Sequence, residues 1–183
     1  MFKVLVFDTE TSGLIDNLLV DQSRQPEIIE FASILVDLDT GEVFEEYETL
    51  ARPTLGGGQL PEKIVKITGI SQDLVDGAPL FSEVADEIRR IVKASPAVLG
   101  HNVRFDVEMV NLEFKRLRRP PPPWPAEVIC TVEQSAHYAG RRLNLSDLHR
   151  HVLGETFLGA HRAMVDVRAL VNVAVEMRKR GDL

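Results

Sequence analysis

The sequence holds a single cysteine, Cys130, so no disulfide can form within the chain. That excludes the small disulfide-stapled secreted folds and suits a reducing compartment. Nowhere does an apolar run approach the roughly 20 residues needed to cross a bilayer. The N-terminus, Met1 to Asp8, meets a charge before a signal-peptide core could form. The expectation is a cytoplasmic protein with no membrane partner. A basic excess is lacking too: 21 lysines and arginines face 28 acids, for a net charge of −7. This argues against a protein that tracks long stretches of nucleic acid. It leaves room for an enzyme that grips a strand end, which needs few phosphate contacts and whose cation-holding carboxylates are neutralised in use. No internal repeat and no second domain is visible, and 183 residues are enough for one domain, 1–183, around one substantial core.

What is present reads as strands first and then strands alternating with helices, hence an α/β fold with a mixed sheet. Phe2 to Phe7 is apolar except for Lys3, as in a central strand buried on both faces, and Asp8 follows at its carboxyl end. Further strands are expected over 28–36 and 43–50, joined as a hairpin through Asp39-Thr40-Gly41. Gly56-Gly57-Gly58 reads as a flexible joint. Apolar residues at 81, 84, 85, 88, 91 and 92 predict a helix over 81–94, with Ser82 as its N-cap. Short strands over 97–99 and 127–130 and helices over 104–118, 131–139, 145–153 and 161–180 follow. The run Pro120 to Pro125 stops the 104–118 helix and reads as a stiff surface connection, with a polyproline ligand as the lesser alternative.

Three segments carry candidate chemistry. In Asp8-Thr9-Glu10 the two carboxylates point the same way along an extended chain and can face one hard cation. Asp37/Asp39 and Glu46/Glu48 share that spacing and read as hairpin surface. What separates Asp8 and Glu10 is delivery to a strand's carboxyl end, where open α/β sheets place their sites. The second segment, Gly100 to Asp106, puts an acid at a helix start, where capping is the plain alternative. In the third, His161-Arg162-Ala163-Met164-Val165-Asp166, a histidine opens a helix whose face holds Asp166 among Ala163, Leu170 and Val173. A carboxylate on such a face is costly unless it is paired or metal-bound.

Together these segments resemble the DnaQ-like 3′→5′ exonucleases, the proofreading family also called DEDDh. The likeness lies in Phe7-Asp-Thr-Glu-Thr-Ser-Gly-Leu14, Gly100-His-Asn-Val-Arg-Phe-Asp106 and His161-Arg-Ala-Met-Val-Asp166. Weaker stretches lie between them: Pro26 to Glu30, Ile67 to Ile70, and Cys130-Thr131 leading to Leu145 to Leu148. The resemblance implies an RNase H-like fold, with a mixed central sheet flanked by helices. It also implies that Asp8, Glu10, Asp106 and Asp166 hold two Mg²⁺ or Mn²⁺ ions while His161 takes a proton from the attacking water. Products would be nucleoside 5′-monophosphates released from the 3′ end of DNA. RNA trimming, or work only inside a polymerase or other nucleic-acid complex, are the alternatives. Thr9 and the turn Thr11-Ser12-Gly13-Leu14 would surround the terminal nucleotide, and His101, Asn102 and Phe105 would orient Asp106 or touch the sugar.

Several departures stand out. Thr68 replaces a histidine common in the family, Cys130 replaces an acid, and the 14–26 loop is long enough to overhang the site. A partner-binding tail of the kind that follows the last helix in polymerase subunits is not seen, which favours a stand-alone enzyme. Of the basic clusters 115–119, 141–142 and 178–180, most members are expected to be solvated helix ends.

Overall fold

The computed structural model describes residues 1–16 and 21–183. Five strands form one mixed sheet: β1 (Lys3–Thr11), β2 (Ile28–Asp37), β3 (Val43–Leu50), β4 (Ala97–Gly100) and β5 (Glu127–Cys130), in the order β3-β2-β1-β4-β5. β1 pairs antiparallel with β2 and parallel with β4, and β5 continues the parallel side. Seven helices surround it: α1 (Glu62–Thr68), α2 (Gln72–Asp76), α3 (Phe81–Ala94), α4 (Val103–Arg116), α5 (Thr131–Ala139), α6 (Leu145–Leu153) and α7 (Ala163–Arg180). The hairpin and the helix over 81–94 stand as the sequence predicts.

Period-2 alternation in β1 sorts the core into two layers. Leu5 and Phe7 face α3 and α4 in a cluster with Phe31, Ile88 and Phe114. Val4 and Val6 face α7 in a cluster with Ile34, Leu99, Val167 and Leu170. Val4 to Phe7 are wholly buried, each contributing on the order of 1.5–3 kcal/mol of transfer free energy. Because β1 is covered on both sides, its carboxyl end is the first place where polar side chains can emerge.

The turn from β4 into α4 depends on one glycine. A Cβ on Gly100 would lie 2.9 Å from Val103 Cβ and 3.2 Å from its Cα, so any side chain would push α4 away from the strand ends. Asn102 takes the left-handed conformation (φ 72°) to complete that turn. The Pro-rich segment is a stiff connection pinned to the core. Arg89 Nη1 donates to the carbonyls of Pro120 (2.8 Å) and Pro121 (3.0 Å). Trp124 stacks on Phe7 at 5.5 Å and donates its indole N–H to Asn111 Oδ1 at 2.8 Å.

Several expectations need correction. Ser82 does not cap α3: Leu80 is the N-cap, and its N–H donates to Glu83 Oε2 at 2.6 Å, so the acid three residues on does the capping. α1 and α2 were not visible in the sequence, being short and having no clear apolar stripe. The 161–180 helix begins only at Ala163. Asp37 is no surface residue. It is 1% exposed and accepts from Phe2 N, Asp39 N and Thr40 Oγ1, so it ties the hairpin turn to the N-terminus. Glu46 and Glu48 are exposed, as expected. Of the 14–26 loop, residues 17–20 lie outside the described residues.

Candidate active site

Alternation in β1 puts Asp8 and Glu10 on the same side as Val4 and Val6, the face that α7 covers. Thr9 points the other way, toward α4, where its N–H (3.1 Å) and its hydroxyl (2.7 Å) both donate to Asp106 Oδ1. Asp106 is 3% exposed, so these two bonds fix a carboxylate that nothing in solvent holds. Asp106 lies in the first turn of α4, yet its tie runs to β1 and not to a cap. α7 brings in the third element. The His161 N–H donates to Asp166 Oδ2 at 2.9 Å, folding the segment before the helix back over its first turn. His161 itself is exposed and left-handed (φ 71°), a conformation that costs a non-glycine residue about 1–2 kcal/mol.

Carboxylate and imidazole atoms of Glu10, His161 and Asp166 all lie within 4.8 Å of one another. At that separation two ionised carboxylates repel by about 3.5 kcal/mol with an effective dielectric near 20. Their proton affinities respond accordingly. Burial, reinforced by Asp106, Glu10 and Asp166, holds Asp8 well above the ordinary carboxylate range. Glu10 is pushed up to about 8 by burial, then by Asp166, Glu30 and Asp106. Burial lifts Asp106 to about 7 against the opposing bonds from Thr9. Asp166 is raised by burial, with the His161 N–H pulling the other way. Its Oδ1 is buried and has no hydrogen-bond partner. An orphaned carboxylate oxygen beside three more acids that resist ionising is a donor set suited to a cation. Hard, oxygen-rich coordination of this kind fits a divalent ion.

Two features escaped the sequence reading. Glu30, directly across the β1–β2 register from Glu10, is 0% exposed. It receives Arg162 Nη2 (2.7 Å), Arg162 Nε (3.1 Å) and the Ala163 N–H (2.7 Å), so one carboxylate clamps the start of α7 to the sheet. The signal was there to find: a charge inside the otherwise apolar run 28–36. Removing it leaves Arg162 unpaired and the first turn of α7 loose. Glu30→Ala should lower stability by about 1–3 kcal/mol, the cost of leaving a buried donor such as the Ala163 N–H without its partner, because Arg162 is 40% exposed and can return to water. Chemical denaturation would read this directly, and a loss under about 1 kcal/mol, within the range of exposed pairs, would contradict the clamp.

The second is Lys63, which joins the expected Thr11-to-Leu14 turn, Ile67 and Phe105 in lining a cleft of about 520 Å³ that starts at Glu10. Leu14 (82% exposed) and Ile67 (42%) stand at its walls as apolar blades. Thr11 Oγ1 donates to the Gly13 carbonyl at 2.6 Å and the Ser12 N–H to the Glu27 carbonyl at 2.8 Å, so this turn is held in shape. Thr68 also lines the cleft. His101 is placed elsewhere. Its Nδ1 lies 3.0 Å from Thr131 Oγ1, and burial pushes it down to about 4, so it is a neutral strut between β4 and α5.

The model of the Exonuclease family matches residues 5–174, which takes in Asp8, Glu10, Asp106, His161 and Asp166. The chain belongs to the exonuclease family. Among its relatives within that family, the PolC-type DNA polymerase III of Caldanaerobacter subterraneus subsp. tengcongensis is 28% identical over 182 residues, covering 97% of this chain. The chain spans only 12% of that polymerase's length. Subunit epsilon of DNA polymerase III from Treponema pallidum is 28% identical over 180 residues, covering 93% of this chain and 74% of that subunit. The nuclease domain of 3′hExo, a DEDDh family member solved with rAMP, superposes with a TM-score of 0.80 at 22% identity, over 98% of this chain and 92% of that one. Exonuclease I of E. coli, solved with single-stranded DNA and zinc, gives 0.76 at 22% identity over 98% of this chain and 41% of that one. These likenesses identify the mixed sheet and its flanking helices as the RNase H-like exonuclease fold. Among the described residues no helix is long and apolar enough to cross a membrane.

Proposed function

We propose that this chain, as a single exonuclease domain over residues 1–183, hydrolyses nucleotides from the 3′ end of DNA and releases nucleoside 5′-monophosphates. The observation that carries the reading is the convergence of four proton-retaining carboxylates, with Asp166 Oδ1 orphaned, beside an exposed histidine at the end of an apolar-walled cleft. Asp8, Glu10, Asp106 and Asp166 would hold two Mg²⁺ or Mn²⁺ ions. When bound, such ions activate water and stabilise charge on the departing oxygen. The chain's own residues do the rest. Thr9 orients Asp106, and the Asp166 carboxylate holds the His161 backbone in its left-handed turn. The exposed His161 ring then takes the proton of the attacking water. Leu14, Ile67 and Phe105 flank the terminal base and sugar along the braced Thr11-to-Leu14 turn.

The four carboxylates also set a pH dependence of metal binding. Glu10 and Asp106 have folded proton affinities above their unfolded ones. They therefore stabilise the metal-free protein at low pH, and that contribution is lost as pH rises through about 7 and 8. Cation binding requires the ionised forms. The metal-free melting temperature should fall from mildly acidic to mildly alkaline pH, and Mg²⁺ should raise it much more at the alkaline end. Scanning calorimetry with and without chelator checks this; a Mg²⁺ effect independent of pH would contradict it.

Incubation of the chain with labelled single-stranded DNA, duplex DNA and RNA tests the activity itself. Single-stranded DNA should shorten from its 3′ end with Mg²⁺ and not in chelator, and a bulky 3′ block should stop it where a 5′ block does not. The RNA arm has its own warrant, since the 3′hExo domain was solved with rAMP. None of the five polar groups contacts a 2′ carbon by necessity, so faster loss of RNA would reassign the substrate and keep the chemistry. Relatives that are polymerase III chains make a polymerase the first protein partner to try in a pull-down.

A further inference from the structure

Most cations on this surface are spent. Arg116 bonds Glu113 and the carbonyls of Gln25 and Pro26, Arg119 pairs with Asp86, and Arg178 pairs with Asp39. Among the described residues no ion pair engages Arg52, Lys115 or Arg118. Arg52 is far in sequence from Lys115 and Arg118 at the end of α4, yet all three line one cleft of about 510 Å³ between that helix end and the Arg52–Leu55 stretch. Both carboxylates in that cleft are already satisfied. Glu27 accepts from Thr54 N, Thr54 Oγ1 and Leu55 N, and Glu113 accepts from Ile28 N while pairing with Arg116. Four basic side chains against two acids leave the cleft lining net positive, on a chain whose net charge is −7.

Arg118 strengthens the point. It is left-handed (φ 55°) at the end of α4, where its N–H bonds the Lys115 carbonyl and the next N–H bonds that of Phe114. Helices that end this way usually place glycine there. An arginine in a glycine's conformation is a strained backbone position, which marks Arg118 as a candidate functional residue. The cleft also adjoins the candidate active site through shared wall residues. Ser12, Gly13 and Leu14 wall both the catalytic cleft and a neighbouring depression, and that depression ends on Ser23, Glu27 and Leu55, which line the basic cleft.

We propose that these adjoining clefts are a track for the phosphodiester backbone of a single nucleic-acid strand, gripped by Arg52, Lys115 and Arg118 some way upstream of the terminal nucleotide. The choice of strand and direction rests on the exonuclease reading above; the charge and adjacency of the clefts do not. Half-buried Leu55, Leu80 and Leu117 in the same cleft present apolar surface to bases, as strand-binding grooves do. Bases reach those surfaces only in an unpaired strand.

The test compares the full chain with R52Q/K115Q/R118Q and with the single variant R118G. Binding of 5′-fluorescein-labelled oligothymidylates of about 3 and about 12 nucleotides, within the span of known strand-binding grooves, is followed by anisotropy in chelator across a salt series. Hydrolysis of the p-nitrophenyl ester of thymidine 5′-monophosphate with Mn²⁺ reads the catalytic centre alone. The triple variant should hydrolyse the ester at the wild-type rate and bind the longer strand about tenfold more weakly at low salt. Its salt slope should be shallower by about 2, three contacts at roughly 0.7 each for single strands. R118G should melt no lower than wild type, because glycine suits φ 55°, and should still lose about one contact's share of the slope. Unchanged long-strand affinity and slope in both variants would overturn the track. A wild-type chain that bound the longer strand with the expected slope but left the ester intact would support the track and remove the exonuclease reading.

Discussion

Asp166→Asn should eliminate nuclease activity and weaken divalent-cation binding by more than about 100-fold, the upper range for losing a mere outer-shell partner of a metal. The amide keeps an oxygen that can accept the His161 N–H, a bond that spans 2.9 Å in the native chain, so the loop before α7 stays in place. What disappears is charge, and with it an oxygen that has no other partner in the fold. The same change should make the metal-free protein slightly more stable at alkaline pH, since Asp166 takes a proton less readily lost than usual and its neighbours also resist ionising. Isothermal titration with Mn²⁺ and thermal melts in chelator measure the two effects separately. Retained cation affinity would show that Asp166 is no ligand, and the site would have to be redrawn around Asp8 and Asp106.

His161→Ala should behave differently, although His161 and Asp166 lie within 4.8 Å of each other at their reactive atoms. Cation and strand-end binding should survive, because the ring is assigned to the proton. The rate should fall by roughly 10²–10⁴-fold, the range for a positioned general base. A second substitution guards against a trivial cause. His161→Gly fits φ 71° better than any other residue, so it should leave the melting temperature at or near the native value while losing the same rate. A folded, cation-binding His161→Gly that still cleaved at the native rate would make the histidine a bystander.

The carboxylates were legible unequally. Asp8 and Glu10 stood out by following the apolar stretch Val4 to Phe7 and Asp166 by its apolar helix face, whereas Asp106 alone read as a helix cap and joined them only through the ordered resemblance to the exonucleases. Periodicity is a local property, and the strands and longer helices fall where it puts them. It failed for α1 and α2, which are too short for a face to repeat, and for Ser82, where any of three neighbouring positions could begin the helix and the Glu83 side chain selects Leu80.

Chemistry that depends on distant pairing was not legible. The sequence by itself determined a strand-borne pair of acids, two more acids on helices and a histidine five residues before the last of them. Only the tertiary structure decided that Thr9, at the wall of the cleft, holds Asp106, and that Glu30 clamps Arg162 across 132 residues of chain. It also decided that His101 braces α5 and that Arg52, Lys115 and Arg118 share one cleft. The reason is physical. Side-chain alternation follows from the covalent geometry of each segment, whereas an ion pair or a groove follows from how buried apolar faces dock. In this chain that docking brings α4 to one side of β1 and α7 to the other, and the candidate site is the place where β1 emerges between them.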